Sequence, residues 1–352
     1  MPELTNEALL RGTEAIPVSV LTGFLGSGKT TLLNQLLPHK DMAGTVVLIN
    51  EFGEIGLDHL LVEKIDEQIV LLKSGCLCCT VRGDLVNSLR DLFARRLKGD
   101  IPVFRRVAIE TTGLADPVPI VHTLLSDPSL SERYAIGGVA TTVDACHVAG
   151  QLSAHPESVK QVALADRLIV TKLDCSGAPS LQEVATRLRR LNPEAIILDS
   201  RQVISRPLDV LAAGAFDQSR KSKDAQNWLA SEGEHSNHSH LHRHDVNRHD
   251  ERIRSLSLKS DVPIDADRFS TWLQDLLERH GENILRVKGI MNFSGERLPI
   301  AIHGVQHIFY PPLYLNAWAG DPCSRVVFIV RDIKPDEIAQ SFSTEFQSAS
   351  PQ

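Results

Sequence analysis

The chain has 352 residues, a length that suggests two domains rather than one, and its 42% apolar and 23% charged residues are ordinary for a globular protein with a sizeable core. Its 44 Asp and Glu outnumber 37 Lys and Arg, a formal charge of −7, so no basic excess tracks a phosphate backbone and nucleic-acid binding is not expected. No apolar run reaches the roughly eighteen residues a membrane span needs, and the first fifteen residues carry three Glu and no secretory-signal pattern, so a cytoplasmic location is expected.

In chain order, short β-rich runs at 18–22, 45–50, 106–110, 138–144, 167–171 and 195–199 alternate with helical patterns such as 30–37 and 181–191. That alternation is the pattern of a parallel α/β sheet with helices on both faces. Residues 217–252 then hold only six apolar residues in 36, too few to pack a core, and read as a solvated linker. Beyond it, residues 253–258 alternate like a strand. Asp265 can cap a helix whose Phe269, Trp272, Leu273, Leu276 and Leu277 share one face, and Gly281 stops it. Strand-like runs follow at 284–293, 298–310 and 325–331, with Ser294-Gly-Glu as a hairpin signal between the first two, so a small α+β domain is expected.

Gly23-Phe-Leu-Gly26-Ser27-Gly28-Lys29-Thr30 fits the P-loop spacing, between a predicted strand and an amphipathic helix that begins with Thr30 and Thr31. Glycines let backbone N–H groups curl around phosphate oxygens, and the helix N-terminus adds partial positive charge. Lys29 would reach the β- and γ-phosphates and Thr30 would hold Mg²⁺. Glu110, ending an apolar strand, is the second candidate for Mg²⁺ or attacking-water contact, and Gly113 for a turn approaching the γ-phosphate. Base choice falls to Thr171-Lys172-Leu-Asp174: an Asp carboxylate there accepts from guanine N1–H and N2–H₂, whereas adenine lacks that donor pair, and Lys172 would lie along the base plane. An exposed strand-end charge pair is the plainer reading of the same four residues.

Cys76, Cys78 and Cys79 crowd three of the six cysteines into four positions, which is no disulfide framework. Three thiolates would select a soft metal such as Zn²⁺ and leave one tetrahedral position open. Cys76 and Cys79 alone would also make a C-x-x-C redox pair, and free cysteines can pack as small apolar groups. A second cluster lies in the linker, where His235, His238, His240, His242 and His244 alternate with mainly polar residues. Imidazoles on such a chain can gather weakly around Zn²⁺, Co²⁺ or Ni²⁺, or merely keep it soluble.

Taken together, LTGFLGSGKTTLLN from Leu21, NEFGEIGLD from Asn50, GCLCC from Gly75, ETTGLADP from Glu110, TKLD, and RVKGIMNFSGERLPIAIHGVQHIFYPP from Arg286 resemble the CobW-type metal-chaperone GTPases, their zinc-chaperone branch in particular. The resemblance covers most of residues 16–333. It implies a P-loop GTPase domain over 1–216, a His-rich flexible linker over 217–252, a CobW-like C-terminal domain over 253–342 and a tail over 343–352. It implies Mg²⁺-dependent hydrolysis of GTP and delivery of zinc from the C-x-C-C site to a client metalloprotein. Cobalt or iron delivery, or metal storage or sensing with nucleotide as regulator, are the alternatives, and assembly into homo-oligomers is left open. Two departures stand out. Thr171 replaces the Asn of many GTPases, and Ile49 occupies a position where some relatives carry a Glu ligand, which leaves Glu54 or Glu51 as an extra carboxylate or as ordinary acids of a solvated loop.

Overall fold

The computed structural model describes residues 15–49, 70–73, 81–211, 252–318 and 320–346. Its contacts divide the chain into two units, one of residues 1–146, 165–178 and 196–216, the other of residues 147–164, 179–195 and 217–352.

The first unit is built on a seven-stranded sheet in the order β3-β2-β4-β1-β5-β6-β7, every neighbouring pair parallel. Its strands are β1 (Ile16–Gly23), β2 (Thr45–Ile49), β3 (Val70–Lys73), β4 (Arg106–Glu110), β5 (Tyr134–Asp144), β6 (Arg167–Thr171) and β7 (Ile196–Asp199). Parallel strands with both faces covered read as continuous apolar runs, and all eleven residues of β5 are buried. The unit's helices include α1 (Lys29–Leu36), α2 (Val81–Lys98) and α3 (Val118–Ser126). Leu32, Leu33 and Leu36 of α1 pack with Leu21, Val47, Ala108, Ala140 and Ile169 from five strands. Ile49 packs against the same cluster, so the position at which some relatives carry a carboxylate serves the core here.

The second unit carries an antiparallel sheet in the order β11-β10-β9-β13-β8, with β12 paired to β10. Its strands are β8 (Ile253–Ser260), β9 (Ile284–Met291), β10 (Ile300–Val305), β11 (Ile308–Phe309), β12 (Leu313–Tyr314) and β13 (Ser324–Arg331). Asp265 caps the long helix Ala266–His280 by accepting from Arg268 N, and Phe269, Trp272, Leu273 and Leu276 are its buried face. A final helix, Pro335–Phe346, closes the same core, with Trp272 and Phe342 ring centroids 5.4 Å apart.

Residues 147–164 and 179–195 pack with the second unit. There Ala163 packs with Leu285 and Ile329, and the Arg286 guanidinium donates to the Leu164 carbonyl. The tail expected from 343 onward begins later, because the last helix runs to Phe346, which is buried with Phe342. The run 298–310 is two strands: Gln306, with φ 53°, turns the chain so that Ile308 pairs back against Val305. Among the described residues, no helix is long and apolar enough to cross a membrane.

Candidate nucleotide and metal site

β1 is central in the sheet, flanked by β4 and β5, so the strand order reverses about it. In open α/β sheets such a switch point opens a crevice at the strands' carboxyl ends. The register brings the candidates to that edge: Leu21 pairs with Glu110, Gly23 with Thr142, and Asp144 with Thr171.

The phosphate loop leaves β1 at Gly23, passes Gly26, and enters α1 through Gly28. Gly28 is the helix N-cap with φ 90°, and no side chain caps the first turn. A left-handed cap without a capping side chain leaves the first N–H groups directed at whatever anion occupies the loop. The loop is braced from below. Ser27 is fully buried, its Oγ lies 2.6 Å from Thr142 Oγ1, and its carbonyl accepts from Thr171 Oγ1 at 2.8 Å. Lys29 Nζ donates to the carbonyls of Gly23 (2.9 Å) and Phe24 (3.2 Å), which holds the ammonium over the loop. Thr31 is exposed on the first turn of α1.

Thr30 Oγ1 donates to Glu110 Oε1 at 2.5 Å, and Glu110 is only 4% exposed. A hydroxyl and a carboxylate in contact are hard oxygen donors, the set that suits Mg²⁺ rather than a soft ion. The turn after β4 closes on the loop as well. A Cβ at Gly113 would lie 2.7 Å from both N and Cα of Leu25, so only glycine lets the two backbones approach this closely.

On the base side, Lys172 takes φ 59° and its Nζ meets Asp144 Oδ2 at 2.7 Å. Asp144 is 2% exposed, and its Oδ1 accepts from Cys146 N at 2.9 Å. Asp174 is exposed on the turn that follows. Arg201, just past β7, is held by Asp199 through bonds of 3.1 and 2.5 Å. Those bonds first of all, and then the Asp199 charge and that of Asp174, keep the Arg201 guanidinium protonated beyond its usual range. Asp199 in turn is held below the usual carboxylate range, chiefly by the bond from Arg201.

The structure therefore brings together Gly23, Gly26, Ser27, Gly28, Lys29, Thr30, Glu110 and Gly113 at the phosphate loop, with Thr171 beneath it. The Thr171 hydroxyl lies against the carbonyls of Ser27 and Val143, at 2.8 and 3.1 Å. Asp144 and Arg201 were missed by sequence reasoning. Asp144 ends a strand that was identified, and its place beside Thr171 follows once the strands are aligned in parallel. Cys76, Cys78, Cys79, Glu54, Glu51 and the histidines of the linker lie outside the described residues. The chain leaves β3 at Lys73, whose register row runs through Ile49 to Glu110, and is described again from Val81.

Residues 17–199 match the CobW/HypB/UreG nucleotide-binding domain, and residues 253–345 match the cobalamin synthesis protein cobW C-terminal domain. The zinc chaperone YjiA of Escherichia coli K12 is 33% identical over 329 residues, which span 93% of this chain and 98% of that protein. Zinc-regulated GTPase metalloprotein activator 1 of Schizosaccharomyces pombe is 30% identical over 324 residues, 84% of this chain and 76% of the relative. The crystal structure of Zn(II)-bound YjiA GTPase from E. coli aligns with a TM-score of 0.68 at 28% identity, covering 95% of this chain and 99% of that one. With relatives aligned along nearly its whole length, the chain belongs to the CobW/HypB/UreG family and carries the cobW-type C-terminal domain.

Proposed function

We propose that this protein is a cytoplasmic GTPase that binds zinc and hands it to a client metalloprotein, with hydrolysis of GTP timing the transfer. The observation that carries the reading is the contact of Thr30 with Glu110 at the mouth of an uncapped P-loop helix. Relatives named zinc chaperone and zinc-regulated GTPase metalloprotein activator support the choice of metal and nucleotide.

The loop N–H groups and Lys29 bind the phosphates, and Lys29 exchanges its bonds to the Gly23 and Phe24 carbonyls for phosphate oxygens. Thr30 and Glu110 would hold Mg²⁺, which supplies positive charge where negative charge gathers on the transferring phosphoryl group. Glu110 would also orient the attacking water. Asp174 accepts the two guanine donors, while Asp144 holds Lys172 beside the base. Zinc is cargo, carried by Cys76, Cys78 and Cys79, with Glu54 as a further oxygen donor. The five linker histidines buffer metal weakly on a tether between the two domains.

The test is single-turnover phosphate release with GTP and with ATP, in parallel with zinc content measured in each nucleotide state. GTP turned over well ahead of ATP, with zinc bound in proportion to intact Cys76, Cys78 and Cys79, is the expected result. Equal turnover of both nucleotides overturns the guanine assignment, and zinc binding indifferent to those cysteines overturns the cargo site.

A further inference from the structure

Two thiols that are solitary in the sequence meet in the fold. Cys146 follows the end of β5, and Cys175 opens the turn after Asp174. The β5–β6 ladder continues to its last rung, Asp144 with Thr171, and Ala145 N donates to the Thr171 carbonyl at 3.1 Å. Just beyond, the positive φ of Lys172 turns its carbonyl so that it accepts from both chains, from Cys175 N at 3.3 Å and from Cys146 Sγ at 3.8 Å. Desolvation first, and then the neighbouring Cys175, pushes the Cys146 thiol above its usual range. Both residues are exposed and both are free thiols. Nothing in the phosphate or zinc chemistry uses them.

We propose that Cys146 and Cys175 form a reversible dithiol–disulfide site that reacts with low-molecular-weight disulfides of the glutathione class. Its cross-link constrains the turn bearing Lys172 and Asp174 and so alters guanine-nucleotide affinity. In the first step one cysteine thiolate attacks the small disulfide: a protein–small-molecule S–S bond forms, the original S–S bond breaks, and one small thiolate leaves. In the second step the other cysteine attacks its neighbour's sulfur, the Cys146–Cys175 bond forms, and the second small thiolate leaves. The two protons lost by the cysteines end on the two small thiols. Two protein thiols are oxidised and one small disulfide is reduced. Because the Lys172 carbonyl holds both residues at one turn, the second step is intramolecular and outruns reaction with other partners. Cytosolic disulfides of this kind are transient and sensing rather than structural, which fits an exposed pair beside a functional turn.

The consequence for nucleotide rests on reading Thr171–Asp174 as the guanine turn, whereas formation of the disulfide does not. The full chain is equilibrated with mixtures of reduced and oxidised glutathione, remaining thiols are alkylated, and the protein is digested with trypsin without reduction. Residues 134–160 and 173–187 each form one tryptic peptide with a single cysteine. The expected product is these two peptides joined, absent in Cys175→Ser, with GDP affinity changed by about fivefold or more between oxidised and reduced protein. Separate alkylation of the two peptides at every ratio, or pairing of Cys146 with any other cysteine, overturns the site. Joined peptides with unchanged GDP affinity overturn its control of the turn. If the reduced chain binds ADP as well as GDP, the guanine reading fails, and the joined peptide is judged by itself.

Discussion

Thr30 Oγ1 and Glu110 Oε1 are in hydrogen-bond contact although eighty residues separate them, because β1, which leads through the phosphate loop into α1, is the parallel neighbour of β4. The contact joins the first turn of α1, just past the phosphate loop, to the end of β4. Glu110→Gln keeps the shape and deletes the charge; Thr30→Ala deletes the hydroxyl. Each is expected to lower GTP turnover by about a hundredfold or more and to raise the Mg²⁺ concentration needed for half-maximal rate. Phosphate release across a Mg²⁺ titration checks this, and an unchanged Mg²⁺ requirement in both variants would remove the pair from the metal site.

Thr171 and Asp174 belong to one four-residue motif but face different tasks. The Thr171 hydroxyl is buried against the Ser27 carbonyl, while Asp174 is exposed. Thr171→Val should therefore strip a buried carbonyl of its donor and cost roughly 1–3 kcal/mol of stability, leaving the ratio of GTP to ATP affinity as it was. Asp174→Asn should do the reverse: little change in the urea midpoint, and a preference moved toward xanthine nucleotides, whose C2 oxygen accepts from the new amide. A change of base preference in Thr171→Val would show that its hydroxyl contacts the base after all.

Much of this site could be read before any fold was known, since the P-loop, Glu110 and TKLD are contiguous motifs and their strands are strongly apolar. What could not be read depended on alignment between strands. Asp144 is an ordinary strand-end acid until β6 brings Lys172 to it, and Cys146 and Cys175 are unrelated residues until the Lys172 carbonyl gathers them. β3 has only four residues and no alternating pattern, so its place at the sheet edge is fixed by pairing with β2. The helices of residues 147–164 carry apolar faces that the P-loop domain alone would explain, yet Ala163 finds Leu285 and Ile329, partners far away in sequence.

Gly113 connects the acidic strand end to the phosphate loop by close backbone approach. Adding one methyl group there forces it to within 2.7 Å of Leu25 N and Cα, and backbone cannot swing aside as a side chain can. Gly113→Ala is expected to push the loop out of register with phosphate and to reduce GTP affinity by about tenfold, ~1.4 kcal/mol. Fold stability should fall by roughly 1–3 kcal/mol, the usual cost of overpacking. Calorimetric GTP titration together with thermal unfolding separates the two effects, and wild-type affinity in the variant would mean that the loop tolerates displacement.

The remaining prediction concerns coupling between zinc and nucleotide. The strand preceding the cysteine cluster, β3, ends at Lys73 on the same carboxyl edge as Gly23, Glu110 and Thr171, and Lys73, Ile49 and Glu110 lie in one register row across neighbouring strands. The cysteine cluster follows β3 in sequence, between the phosphate loop and Glu110, where loss of the γ-phosphate is the usual trigger of P-loop switches. Zinc affinity is therefore expected to differ between the GTP-analogue and GDP states by about 5–150-fold, the range of typical couplings of ~1–3 kcal/mol. Reciprocity then requires zinc to change the ratio of GTP-analogue to GDP affinity by the same factor. Cys78→Ala should weaken zinc binding and abolish the coupling, with nucleotide binding by the metal-free chain largely unchanged. Competition against a chromophoric zinc chelator in each nucleotide state measures the first factor, and nucleotide titrations with and without zinc measure the second. Equal zinc affinities in the two states would make the sites independent, and hydrolysis could not then drive delivery.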